Sequence, residues 1–196
     1  MKFDEISRIL SLKTVGIAGC GGLGSNCAVA LARCGLGNLI IADYDIVDES
    51  NLNRQYFFRE HLGQKKVLAL KEVISRINPS CRIETHDIRL KPIDILRLFS
   101  SCDIIVEAFD DPVEKMMLIE TWLVEYPDKP VVSASGLAGF GHIDDLRVEK
   151  HGKLFVCGDQ IAEASEDNPP LAPRVNIVAN MQADTVLELL VKPMKS

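Results

Sequence analysis

Four segments of the chain are apolar almost without interruption: residues 14–19 (TVGIAG), 38–43 (NLIIAD), 102–108 (CDIIVEA) and 130–135 (PVVSAS). Runs of this length that do not alternate are the mark of strands buried on both faces. Between them apolar positions recur at helical spacing. Phe3, Ile6, Ile9 and Leu10 predict a helix over 3–12. A glycine-rich turn leads into an apolar helix that runs to about Arg33 and is stopped by Gly35 and Gly37. Residues 65–77 predict a helix halted by Asn78-Pro79, while 92–99 and 112–125 each open on a proline suited to a first helical turn. Residues 81–87 alternate like a strand, and 44–62 are polar and irregular, with one or two helical turns expected.

Strands alternating with helices in this way predict an α/β, Rossmann-like, doubly wound sheet that is mostly parallel and covered on both faces. After Gly136 the pattern changes. Residues 141–150 and 153–157 flank His151-Gly152 like two strands about a hairpin turn, so antiparallel strands are expected near the C-terminal end. Residues 158–173 are acidic, bear prolines and show no periodicity; a loop of that length is suspected of function. An amphipathic helix over 174–191 closes the pattern. With no internal repeat or low-complexity tract, residues 1–196 are expected to form one domain.

Composition and charge act by exclusion. The apolar fraction of 47% and charged fraction of 26% rule out a disordered or fibrous chain. A net charge of −6 with no basic run argues against a nucleic-acid partner or an anionic membrane surface. No segment reaches the ~18 apolar residues of a membrane span, and the acidic MKFDE start has no leader-like apolar core, so a cytoplasmic protein is expected. None of the six cysteines sits in a C-x-x-C pair. Cys20, Cys27 and Cys34 recur every seven residues, which reads as a small apolar helix face in a reducing compartment.

The candidate chemistry begins at Gly19, Gly21 and Gly24, a G-x-G-x-x-G between a predicted strand and a predicted helix. Glycines permit the tight turn and a close backbone approach, and the helix N-terminus offers free N–H groups to a phosphate. Asp43 ends the next strand, 19 residues after Gly24, where a carboxylate accepts ribose hydroxyls. Alone, this pattern fits a nicotinamide or flavin cofactor. The residues beyond Asp43 argue otherwise. Asn51, Arg54 and Lys66 supply polar and cationic groups that hydride transfer does not need, and Asp110 ends the third apolar strand. Ligands of such sheets bind outside the carboxyl ends of the strands. Glycine loop, ribose carboxylate, cations and a second carboxylate should therefore converge on bound ATP with Mg²⁺.

GCGGLGS, ADYD, SNLNRQ, GQKK and AFDD, in that order and spacing, resemble the adenylating domain of the ThiF/MoeB/HesA family, relatives of the ubiquitin-activating enzymes. The resemblance covers about Val15 to Val191. It implies nucleotide contacts from Gly19, Gly21, Gly22, Gly24, Asp43, Asp45, Asn51, Arg54 and Lys66, with Asp110 holding Mg²⁺ and Arg54, Lys66 and Asp110 serving catalysis. It further implies adenylation of the C-terminal Gly-Gly carboxylate of a small ubiquitin-like, ThiS-like sulfur carrier, with release of pyrophosphate, in thiamine or related sulfur-transfer biosynthesis, by a homodimer. Asp111 stands where the family usually has Asn and reads as a helix cap before Pro112.

The sequence departs from the family in three places. The paired C-x-x-C zinc ligands of many relatives are reduced to Cys157, so no zinc is expected. An arginine-rich first segment is lacking, with Arg8 the nearby basic candidate for its role. The loop before the last helix has no cysteine, leaving Cys157 at its edge as a structural or reactive thiol. Three other readings stay open: a Rossmann oxidoreductase using NAD, a non-catalytic family partner, and activation of a small molecule or tRNA base.

Overall fold

The computed structural model describes residues 1–192. Helix α1 (Phe3–Leu10) leads into β1 (Thr14–Ala18), α2 (Gly22–Arg33) and β2 (Asn38–Asp43). Two short 3₁₀ turns at Glu49–Asn51 and Arg59–His61 precede α3 (Lys66–Ile77), β3 (Arg82–Asp87), α4 (Pro92–Leu98), β4 (Ile104–Glu107), α5 (Pro112–Glu125) and β5 (Val131–Ala134). A third 3₁₀ turn at Ile143–Asp145 is followed by β6 (Arg147–His151), β7 (Leu154–Gly158) and α6 (Ala172–Val191).

The strands form one sheet in the order β3-β2-β1-β4-β5-β7-β6. Its central register sets Ile17 beside Ile41 on one side and Val106 on the other. The uninterrupted apolar runs are explained by two cores. Leu39 and Ile41 point to the face covered by α2, α3 and α6, while Ile40 and Ala42 point to the face where Phe99 and Trp122 are buried. Gly16 has no side chain because the Phe99 ring fills its place; a Cβ there would stand 2.6 Å from Phe99 Cδ1.

The expected class holds, with four adjustments. The antiparallel addition is a single strand: β7 pairs in parallel with β5, and only β6 runs antiparallel, to β7. β6 also starts later than 141, because Gly139, Gly141 and His142 all take positive φ and turn the chain first. It carries Arg147, Glu149, Lys150 and His151 on the sheet edge, charges that oppose further strand pairing. α6 starts two residues earlier than expected, since Pro173 falls in the first turn, where no intrahelical N–H is required. Cys20 lies in the turn before α2 and not on its face. No helix among the described residues is long and apolar enough to cross a membrane.

The tightest steric constraint is at the start of α2. A Cβ on Gly24 would lie 1.8 Å from the Gly19 carbonyl oxygen, a backbone atom with no room to yield. Gly24→Ala is therefore expected to cost roughly 2–4 kcal/mol, as overpacking against fixed backbone does. At about 2–4 °C per kcal/mol for a chain of this size, the melting temperature should fall by several degrees in a thermal-denaturation scan. Gly21→Ala, whose Cβ would meet nothing closer than Gln55 Nε2 at 3.8 Å, should melt with the wild type.

Candidate nucleotide and acyl site

A cavity of about 720 Å³ opens at the carboxyl ends of β1, β2, β4 and β5. Sheet order reverses between β1 and β4, the position where ligands of doubly wound sheets bind. The β1–α2 turn forms one wall. Its Gly19 takes φ +94°, and a Cβ there would stand 2.7 Å from the Ala108 carbonyl oxygen, so the turn and the end of β4 touch backbone to backbone. Helix α2 has Gly21 as its N-cap and no side-chain cap, leaving the first-turn N–H groups for whatever enters.

Asp43 is fixed from both sides. The Cys20 N–H donates to its Oδ2 at 2.6 Å and the Asp45 N–H to its Oδ1 at 2.7 Å. Burial pushes its carboxyl above the usual range, against the pull of those two N–H groups and the Lys66 charge. Lys66 is 5% exposed, and its Nζ meets Asp45 Oδ2 at 2.7 Å. Its position is set by pairing of the two ends of the irregular segment: the Val47 N–H donates to the Gln64 carbonyl and the Lys66 N–H to the Asp45 carbonyl.

Helix α2 also holds the NLNRQ block. Asn26 Nδ2 donates to the Arg54 carbonyl at 3.0 Å, and the Tyr56 N–H donates to Ser25 Oγ at 2.9 Å. The Arg54 guanidinium donates to the Ser50 carbonyl at 3.2 Å and to Asn53 Oδ1 at 2.7 Å, and it has no carboxylate partner among the described residues. Asp110 is exposed at the rim, and its carboxylate has no hydrogen bond or ion pair among the described residues. Its neighbour Asp111 caps α5, accepting from the Val113 and Glu114 N–H groups.

The structure thus brings Gly19, Gly21, Gly22, Asp43, Asp45, Arg54, Lys66 and Asp110 to one cavity. It leaves Gly24 and Asn51 off the lining. Gly24 packs against the turn, and Asn51 accepts the Asp48 N–H in a 3₁₀ cap. Arg8 is exposed on α1 and does not line the cavity. Cys157 is buried beside Thr185, and burial pushes its thiol up to about 11, as expected of a structural cysteine.

Several residues that line the cavity or back its lining were invisible as site residues in the sequence. Gln55 is 9% exposed, lies over Gly21 and leaves its Oε1 without a partner; its place in the NLNRQ block was the available signal. Glu107, fully buried at the end of β4, binds Lys115 and takes the Ser133 hydroxyl at 2.5 Å. Lys115 also donates to the Ala134 carbonyl at 3.1 Å. The cavity continues past β4 over the end of β5, under the 159–164 segment. That segment is strapped down by Asp159, which accepts the Ile161 and Ala162 N–H groups at 2.8 Å each and pairs with buried Arg174. Burial acts to raise the Asp159 carboxyl, but those N–H groups and the Arg174 guanidinium outweigh it and hold it below the usual range.

Comparison with known proteins identifies the family. The ThiF family model matches residues 2–196. The adenylyltransferase and sulfurtransferase UBA4 of Eremothecium gossypii is 34% identical over 172 residues, covering 87% of this chain and 36% of the relative. Ubiquitin-like modifier-activating enzyme 5 of Dictyostelium discoideum is 38% identical over 131 residues, covering 60% of this chain and 32% of the relative. The chain therefore spans about a third of the length of these relatives. Among solved structures, the E. coli tRNA N6-threonylcarbamoyladenosine dehydratase TcdA in complex with ATP superposes with a TM-score of 0.86 at 21% identity, over 96% of this chain and 89% of that one. E. coli MccB with ATP gives a TM-score of 0.74 at 23% identity, over 98% and 60% of the two chains. By the extent of the family match, the chain is a member of the ThiF family.

Proposed function

We propose that this chain adenylates the C-terminal carboxylate of a small ubiquitin-like, ThiS-like sulfur carrier, using ATP and releasing pyrophosphate. The observation that carries this reading is the unpaired Asp110 carboxylate, which shares one cavity with the glycine turn, Arg54 and Lys66. The lining holds five carboxylates against three cations. ATP adds further negative charge, so it enters favourably only with a cation of its own. The residues fit Mg²⁺ in this sense: the exposed Asp110 carboxylate offers a hard oxygen ligand at the cavity rim. The ion would be held by Asp110 together with phosphate oxygens and water, the usual arrangement for Mg²⁺ at a nucleotide. When bound, it offsets charge on the triphosphate.

The chain's own residues supply the rest. Asp43 takes the ribose hydroxyls, and the bare N-terminus of α2 takes phosphate oxygens. Arg54 and Lys66 offset the charge that builds as the carboxylate attacks the α-phosphorus. Beyond β4, Ala134, Ser135, Gly136, Ala138, Ala162 and Ala164 line a trough of small residues suited to an extended Gly-Gly tail. Thiamine or a related sulfur-transfer route is the setting this reading favours. Membership of the family removes the support for a nicotinamide cofactor, and a non-catalytic partner would have no need of intact Arg54, Lys66 and Asp110. We also propose a homodimer. Val113, Met116 and Val124 lie 76%, 55% and 83% exposed along α5, and a second copy with twofold symmetry would cover them.

Light scattering is expected to give about twice the 21.6 kDa chain mass; a monomer at working concentration rejects the dimer. MgATP at a hundredfold over its dissociation constant should add ~2.7 kcal/mol of stability, seen as a rise in melting temperature, whereas NADH should give none. The opposite pattern rejects the adenylation reading. Asp110→Asn should keep the fold and most nucleotide affinity, yet lower carrier-dependent pyrophosphate exchange by about 10² or more. Asp111→Asn should change exchange little, since Asn caps a helix as well as Asp. If Asp111→Asn abolished exchange and Asp110→Asn did not, the metal assignment would be misplaced by one residue.

A further inference from the structure

Lys115 stands where the two parts of the cavity meet. β4 and β5 pair at only two positions, Ile105 with Val131 and Val106 with Val132, and then diverge. The cavity enters that split. Lys115 bridges it from the first turns of α5: its Nζ is gripped by Glu107 at the end of β4 and by the Ala134 carbonyl at the end of β5. On the opposite face Gln182 donates to the Glu107 and Val132 carbonyls, closing the split from below.

These contacts use two of the three N–H donors of an ammonium. The Lys115 side chain is 23% exposed and lines the same cavity as Asp110 and Ser135, and its third donor has no partner among the described residues. Glu107 is fully committed, with Oε1 taking the Phe109 N–H at 2.7 Å and Oε2 shared by Lys115 and Ser133. Its charge balances that of Lys115. The pair therefore adds no net charge for a polyphosphate; it adds one donor fixed in place, on the acyl side of Asp110.

We propose that Lys115 is a substrate-binding residue that donates this remaining N–H to an oxygen of the carboxylate about to be adenylated. The inference rests on the adenylation reading. The carboxylate oxygen forms the bond to the α-phosphorus, and the bond from that phosphorus to the bridging oxygen breaks, its electron pair leaving with pyrophosphate. Lys115 keeps its proton throughout. The carboxylate gives up its charge as the acyl adenylate forms, so the contact is stronger before the reaction than after it. Its loss should raise KM for the acyl substrate more than it lowers kcat.

Removing Lys115 alone would strand a buried carboxylate. The test therefore uses Glu107→Gln/Lys115→Met, which deletes both charges, and Lys115→Arg, which keeps both. Wild type and variants are loaded with Mg²⁺ and a non-hydrolysable ATP analogue. Each is titrated by calorimetry with a pentapeptide ending in Gly-Gly, once with a free carboxylate and once amidated. Wild type should prefer the carboxylate about 10- to 100-fold, the size of one charge-assisted hydrogen bond. The double variant should bind the analogue as wild type does and lose the preference, and Lys115→Arg should keep it. Persistence of the preference in the double variant overturns the proposal. So does a wild type that binds the analogue but shows no preference or binds neither peptide, a result that needs no variant to fold. A wild type that fails to bind the analogue overturns the adenylation reading as well.

Discussion

The approach of Gly24 to the Gly19 carbonyl is the contact on which the site depends. It seats the first turn of α2 directly on the end of β1, with no side chain between them. Only then does the helix N-terminus, with its uncapped N–H groups, face the crevice at the sheet's switch point. The same turn sends the Cys20 N–H to Asp43, tying the glycine turn to the end of β2. One turn further along α2, Ser25 and Asn26 hold Tyr56 and Arg54 by the backbone. A single close packing thus registers three separate segments of chain around one cavity.

Charge within that cavity is managed by pairing. Lys66 and Glu107 are both buried, and each has an opposite charge in contact: Asp45 for Lys66 and Lys115 for Glu107. A buried charge without a partner costs several kcal/mol, so these pairs are a condition of the fold as much as of the chemistry. Arg54 and Asp110 differ. Both reach solvent, and neither has a partner of opposite charge among the described residues. Paired charges fix geometry, and these two groups are left without that constraint.

Much of this was legible in the sequence. The continuous apolar runs located β1, β2, β4 and β5 because burial on both faces leaves no polar position to break them. That Asp43 and Asp110 line one cavity was legible because both follow the carboxyl ends of apolar runs, where such sheets open their crevice. The failures share a cause. β7 joining β5 in parallel depends on the three positive-φ residues that turn the chain at Gly139, Gly141 and His142, a geometry that period-two alternation does not report. Glu107 and Lys115 were passed over because their meaning lies in a contact across eight residues and two elements. In the sequence, Glu107 is one acidic residue inside an apolar run, and Lys115 one lysine in an amphipathic helix. Asn51, named through its motif, lies off the lining, with its side chain accepting the Asp48 N–H in a local cap.

The split between β4 and β5 joins the two parts of the cavity at one sheet end. Had the strands stayed paired to their ends, the part at β1 and β2 would be walled off from the trough under residues 159–164. Divergence exposes backbone groups that a sheet would otherwise satisfy, and those groups need new partners. The Ala134 carbonyl receives one from Lys115, while Gln182 braces the last paired level through the Glu107 and Val132 carbonyls; the two side chains come from helices on opposite faces. The roof of the trough has its own anchor in the Asp159–Arg174 pair, with Arg174 also donating to the Gly141 carbonyl at 2.5 Å. Gly136 is required beneath it, since a Cβ there would fall 1.9 Å from Asp159 Oδ1. The opening is therefore built into the end of the sheet: polar side chains hold the strands apart at the level where, in the proposed reaction, an acyl carboxylate and an α-phosphate would meet.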